Sequence, residues 1–163
     1  MWAAHSGSLE IVQELIANGA DMMKAKGDGI TVFHMAASNN DIHMLDYALG
    51  LKRHGNDLEL KNEDGWTPAH MAGILNNFDS LNLLIENGAS ISTKNKNGLS
   101  VYEEIVRSDN ADLLECIYPE LKRIIYNRDP NEKASFGLLH LAAGNNGPKV
   151  LNYLLSKVKE APN

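Results

Sequence analysis

Apolar and polar positions along this chain alternate with the period of a helix, in short stretches closed by glycine. Leu9, Ile11, Val12, Leu15 and Ile16 fall on one stripe that runs out before Gly19, and Leu81, Leu83, Leu84 and Ile85 form another that ends before Gly88. Apolar residues three and four apart line one helical face, so each stretch predicts an amphipathic helix with its stripe inward. Gly19, Gly55 and Gly88 stand where a helix commonly closes on a left-handed residue. Ahead of the apolar helices come smaller ones, rich in alanine at Ala36, Ala37, Ala72, Ala142 and Ala143, whose short side chains let neighbours press close. In the best-formed copy Thr67 reads as an N-cap and Pro68 as the first helical residue, where its missing N–H costs nothing. Asp28-Gly29, Asp64-Gly65 and Asn97-Gly98 precede these helices and predict tight β-hairpin tips, being dipeptides suited to positive φ.

These pieces recur as a unit. Gly29 to Gly65 is 36 positions and Gly65 to Gly98 is 33, while His70 to His140 is 70, two periods of 35. A period of about 33 residues marks a solenoid, in which no helix pair buries its face alone and stacking supplies the core. The repeated residues resemble the ankyrin-repeat family: Thr67-Pro68-Ala69-His70 matches its Thr-Pro-Leu-His signature, and Leu9-Glu10-Ile11-Val12 with Gly19-Ala20-Asp21 matches the rest. The resemblance implies an all-α ankyrin-repeat solenoid of stacked helix-turn-helix units joined by short β-hairpin loops. It spans nearly the whole chain as one domain, with approximate units 1–25, 26–61, 62–94, 95–134 and 135–163.

Unit two carries about three extra residues near Gly50-Leu51-Lys52, because His34 to Gly55 is 21 positions where His70 to Gly88 is 18. Unit four has Val101 and Glu103 in place of the signature Pro and His. From Tyr118-Pro119 to Ala134 an insertion is expected, with Leu121, Ile124 and Ile125 forming an amphipathic turn or two and Asp129-Pro130-Asn131 a closing loop. The chain opens inside a first helix, leaving Met1 and Trp2 at an exposed end, so a fragment of a longer polypeptide is expected. At the other end Leu151, Leu154 and Leu155 are expected to face inward.

Composition narrows the function classes. A single cysteine, Cys116, forbids an internal disulfide framework and suits a reducing compartment such as the cytoplasm. No apolar run approaches the roughly 18 residues of a membrane span. The net charge of −6, with only Lys122-Arg123 and Arg128 clustered, argues against a nucleic-acid partner. His34, His70 and His140 hold one position in different units, so they are expected to bond backbone between hairpins, as the family's do, rather than share a metal. Cys116 aligns with Leu83 and reads as a buried thiol; Glu103 and Glu104 read as a solvated face. Gly144-Asn145-Asn146-Gly147 reads as a turn. No catalytic, metal or cofactor residues are assigned.

The resemblance implies protein binding through hairpin tips and the concave face of the short helices. The tip residues carried over are Asp28, Ile30, Asp64, Trp66, Asn97 and Leu99, with Phe136 as a further one. The concave positions are His5, Ser6, Ser38, Asn39, Ile74, Leu75, Arg107, Ser108, Gly144 and Asn145. Trp66, Ile74 and Leu75 stand out as apolar groups where solvent favours polar ones, the chemistry of an interface hot spot. Packing is the competing role: Trp66 on the next hairpin, Ile74 and Leu75 on the insertion. Three readings result: an interaction module for a protein partner; a regulatory or recruiting segment of an acyltransferase, kinase, ubiquitin ligase or cation channel; and a stand-alone inhibitor. A monomer is expected, with end-to-end association possible at the apolar amino-terminal end.

Overall fold

The computed structural model describes residues 9–21, 25, 27–51, 57–128 and 133–160, without the side chains of 124–128, 133–136 and 158–160. The chain divides into two compact parts, Met1–Val101 and Tyr102–Asn163. In the first, α1 spans Leu9–Ala17, α2 Val32–Asn39, α3 Ile42–Gly50, α4 Pro68–Ile74 and α5 Phe78–Glu86, with a 3₁₀ turn at Asp57–Glu59. α6, Val101–Arg107, starts at the last residue of the first part and lies otherwise in the second, where α7 spans Ala111–Arg128, α8 Lys133–Gly144 and α9 Pro148–Glu160. Among the described residues the only β-pairing is an isolated antiparallel bridge, Lys94 to Ser100.

The short helices α2 and α4 pack on each other, each with its longer partner, α3 or α5, behind it, and α3 meets α5 in an outer row. Fully buried Ala36, Ala37, Ala69 and Ala72 permit that inner approach. Met44, Leu45, Leu81 and Leu84 fill the outer layer, also fully buried. In the second part α9 packs on α7 and α8 through Val150 and Leu154.

The helix ends follow from a few residues. At α1 and α5, Gly19 (φ 87°) and Gly88 (φ 92°) are left-handed. Ala20 N–H donates to Leu15 C=O and Ala89 N–H to Leu84 C=O, each at 2.9 Å, closing a Schellman motif. After the inner helices the left-handed position falls to Asn40, Asn76, Asp109 and Asn146 instead of glycine. Two of these side chains then cap a helix in the next unit. Asn40 Oδ1 accepts from Ser80 N–H at 3.1 Å, and Asp109 Oδ1 from Val150 N–H at 2.9 Å.

Several expectations need correction. Ile11 and Leu15 are 50% and 46% exposed, because the face of α1 that carries them is not the one that packs; Val12 is. Leu155 is likewise 41% exposed, while Leu154 is buried. Ala143 is exposed, since α8 turns Ala142 inward. The extra turns expected from Tyr118 onward do form, as a continuation of α7 to Arg128 rather than as a separate element: the helix runs through Pro119, and Ile117 and Leu121 stay buried on either side of it. Their packing outweighs the one helical bond that proline cannot donate. Phe136 has helical backbone inside α8 rather than a hairpin tip, and its side chain lies outside the described residues. Cys116, Glu103 and Glu104 are half-buried, neither core nor fully solvated. Trp2, His5, Ser6, His54, Gly55 and the 129–131 loop fall outside the described residues.

Candidate protein-interaction site

The hairpin tips are built around asparagine. At Asn62–Gly65, Gly65 N–H donates to Asn62 C=O and Asn62 N–H donates to Trp66 C=O, both at 2.9 Å. Asn62 Oδ1 accepts from Asp64 N–H and Trp66 N–H at 3.0 and 2.9 Å. Asn95 repeats the arrangement with Asn97, Gly98 and Leu99. Only the glycine of each dipeptide takes positive φ, 77° at Gly65 and 76° at Gly98. That is a type I turn closed by a left-handed bulge residue, so Asp64 and Asn97 need no positive φ. Successive tips are tied together, since Glu63 N–H donates to Asp28 C=O at 2.8 Å and Lys96 N–H to Asp64 C=O at 3.2 Å. A Cβ on Gly65 would stand 2.7 Å from Lys96 N, so this approach admits glycine alone.

Buried histidines brace the tips from behind. His34 Nε2 donates to Trp66 C=O at 2.9 Å, and His70 Nε2 to Leu99 C=O at 3.2 Å. On the other ring edge, Nδ1 of each accepts from the backbone N–H and hydroxyl of Thr31 or Thr67. A carbonyl only accepts and an amide N–H only donates, so both rings are neutral with the proton on Nε2. Burial, opposed by the bond to Trp66 C=O, holds the His34 pKa below its ordinary 6.5. The expected bridging role is therefore met at His34 and His70. His140 departs from it: it is exposed on α8, whose backbone continues as helix where a hairpin would precede it.

On this frame the expected partner-binding residues divide. Trp66 is half-buried, with its backbone N–H held by Asn62 and its C=O by His34. Asp28 is half-buried and its carboxylate accepts from Ile30 N–H at 3.2 Å, which makes it a turn former. Ser38 is occupied as well: its hydroxyl donates to His34 C=O at 2.7 Å and its carbonyl accepts from Asn77 Nδ2 at 2.8 Å. Ile30 and Leu99 are half-buried, whereas Asp64, Asn39, Asn97 and Arg107 are exposed, the last on α6 in the second part.

Ile74 and Leu75 are 41% and 49% exposed, and Phe78, at the start of α5, is 46% exposed. Five residues of chain thus present three large apolar side chains to solvent at the α4–α5 turn. The turn itself is fixed by left-handed Asn76 and by Asn77, whose side chain donates to Ala37 C=O and Ser38 C=O at 2.8 Å each. Phe78 escapes the sequence reading because it opens the apolar stripe of α5 and reads as core. Among the described residues no group of His, Cys, Asp and Glu is arranged to hold a metal ion.

Stacked helix pairs, histidine-braced tips and this period define an ankyrin-repeat protein, and the chain belongs to that family: residues 1–95 match its model, ankyrin repeats in three copies. Among curated proteins it is similar to the nuclear factor NF-kappa-B p105 subunit of Gallus gallus, 27% identical over 83% of this chain and 14% of that protein. It is 30% identical to protein phosphatase 1 regulatory subunit 12A of Mus musculus over 71% of this chain and 11% of that one. To alpha-latrotoxin-Lg1a of Latrodectus geometricus it is 38% identical over 53% of this chain and 6% of the toxin. The chain thus spans a small share of each relative. No described helix is long and apolar enough to cross a membrane.

Proposed function

We propose that this chain is a protein-interaction module that grips a partner protein at the α4–α5 turn, through Ile74, Leu75 and Phe78, with the tip residues Trp66, Asp64, Asn97 and Leu99, at the other end of the short helices, as further contacts. One observation carries the reading: three large apolar side chains stay exposed on a turn that the Asn77 side chain ties to the Ala37 and Ser38 carbonyls of α2. Exposing such groups is unfavourable unless something covers them, and rigid apolar anchors ringed by polar residues make the strongest interface contacts. Asp28, Ile30, Ser38 and Asn39 serve as the rim or as scaffold, and Arg107 as a separate polar contact on α6. A reducing compartment, cytoplasmic in this reading, accords with the lone cysteine. No reaction is assigned to the chain.

A second reading makes the segment a regulatory or recruiting part of a longer protein, favoured by the small share of each relative that it spans. Both use the same surface. The test is affinity capture with the wild type beside an Ile74→Ser, Leu75→Ser, Phe78→Ser variant that melts at the same temperature. A partner held by the wild type and lost by the variant supports the site; a specific partner retained by the variant refutes it.

A further inference from the structure

Within the first part, the charge around the α4–α5 turn is of one sign. From Ile30 to Leu51 and from Asn62 to Thr93 the chain contains no lysine or arginine, so α2, α3, α4 and α5 carry Asp46, Asp79 and Glu86 with neither cation among them. The described lysines of this part, Lys61, Lys94 and Lys96, belong to the loops that lead to the tips, where Asp28, Glu63 and Asp64 offset them. Lys61 is engaged there, its ammonium donating to Lys94 C=O at 2.8 Å. At the opposite end two turns stand side by side. Asn77 Nδ2 donates to Ala37 C=O and Ser38 C=O, and Asn40 Oδ1 accepts from Ser80 N–H, so the α2–α3 turn touches the α4–α5 turn. Left-handed Asn40 and Asn76 hold one register position, which sets Ile42 where Phe78 stands, and Ser38 and Asn39 where Ile74 and Leu75 stand. The earlier unit thus extends the apolar patch by half-buried Ile42 alone. Its Asp41 carboxylate accepts from Met44 N–H at 2.9 Å as the cap of α3. Asp79, beside Phe78, and Asp46, one helical turn on from Ile42, are exposed, as is His43.

Three exposed apolar anchors bordered by carboxylates call for an occupant that is apolar at its centre and cationic at its edge. Resting on the reading of this turn as an interaction site, we infer that the partner is an amphipathic segment with lysine or arginine beside its large apolar side chains. It sets those side chains on Ile74, Leu75 and Phe78 and its cations towards Asp79 and Asp46. Apolar contact supplies most of the affinity, while the carboxylates select the sign of the partner and hasten its approach. The same charge turns away phosphate-bearing surfaces, whether nucleic acid or an anionic bilayer.

The test uses two fluorescent synthetic peptides that share one helical pattern of leucines, with lysine at the polar positions of one and glutamate at those of the other. Each is titrated by anisotropy at about 0.05 M and about 0.5 M salt, which brackets weak and strong screening. The proteins are the wild type, an Asp46→Asn, Asp79→Asn variant and the Ile74→Ser, Leu75→Ser, Phe78→Ser variant. All five substituted side chains are exposed, so both variants are expected to melt as the wild type does. The lysine peptide should bind the wild type at least about tenfold more tightly than the glutamate peptide, and lose about three- to tenfold with the asparagine variant or in the higher salt. The serine variant should bind it at least about tenfold more weakly than the wild type does. Equal binding of the two peptides, or a lysine peptide indifferent to the asparagine variant, overturns the inference; if the serine variant still loses the peptides, the apolar site itself stands. A lysine peptide that the serine variant holds in full overturns it too, by placing the attraction elsewhere on a chain of net charge −6. Should neither peptide bind the wild type, the inference falls, and the capture experiment decides the reading beneath it.

Discussion

His34 shows how a single side chain sets a condition on the fold. Its ring is neutral, buried and bonded at both nitrogens, and burial holds its pKa below 6.5. At pH above 6.5 the group is neutral in both folded and unfolded chains, so its full contribution is present. As pH falls below 6.5 the unfolded chain takes up a proton first, and stability drains away until the folded value is reached. Thermal melts from pH 7 to pH 5 should show a falling midpoint, and His34→Gln should flatten that slope; an unchanged slope would remove His34 as its source. Ser80 is the opposite case. Its hydroxyl is buried with no hydrogen-bond partner, at a register position where α3, α7 and α9 place Met44, Leu113 and Val150. Ser80→Ala is expected to raise stability by about 1 kcal/mol, read by chemical denaturation, because an unsatisfied buried hydroxyl is a cost; a loss of stability would show that the group has a role.

At the scale of the element, close approach explains more than conformation does. Gly65 and Gly88 both have positive φ, but a Cβ at Gly88 meets nothing within 4 Å, whereas at Gly65 it meets Lys96 N at 2.7 Å. Gly88→Ala should cost about 1–2 kcal/mol for the left-handed backbone alone, and Gly65→Ala distinctly more, measured as unfolding free energies side by side. Equal costs would contradict the tip-to-tip tie. Asp109→Ala should cost about 1–2 kcal/mol through loss of the α9 cap, and Asp109→Asn less. Most of this architecture is legible in the sequence: the glycine stops, the Thr67 cap, the alanine faces and the bridging role of His34 and His70 all follow from residue type and spacing. What escapes are effects of neighbours. Nothing in the stripe of α1 says that Ile11 and Leu15 lie uncovered, since periodicity reports a face and not what packs on it. Likewise the insertion expected from Tyr118-Pro119 does not reveal that α7 continues through Pro119, because the buried Ile117 and Leu121 that hold it together there are a tertiary matter. The tip asparagines Asn62 and Asn95 were hidden by the more familiar Asp-Gly and Asn-Gly pairs beside them.

For the molecule as a whole, fold and function separate. The ankyrin stack accounts for nearly every buried group, and it leaves Ile74, Leu75 and Phe78 without a structural task. Two of these three were legible as apolar residues where solvent favours polar ones, placed on the concave face; their position at the turn, and the third residue, needed the structure. The half-burial of Trp66 gives it a mixed role, so Trp66→Ala should lower both stability and partner affinity, whereas Leu75→Ser should lower affinity alone. The measurement that bears most directly on the interaction reading is site-specific photo-crosslinking, with the photoreactive residue placed at position 75 and, as a control, at exposed position 86 on α5. The account predicts a discrete crosslinked partner from position 75 and none from position 86. Equal labelling from both positions, or a partner captured only from position 86, would contradict it.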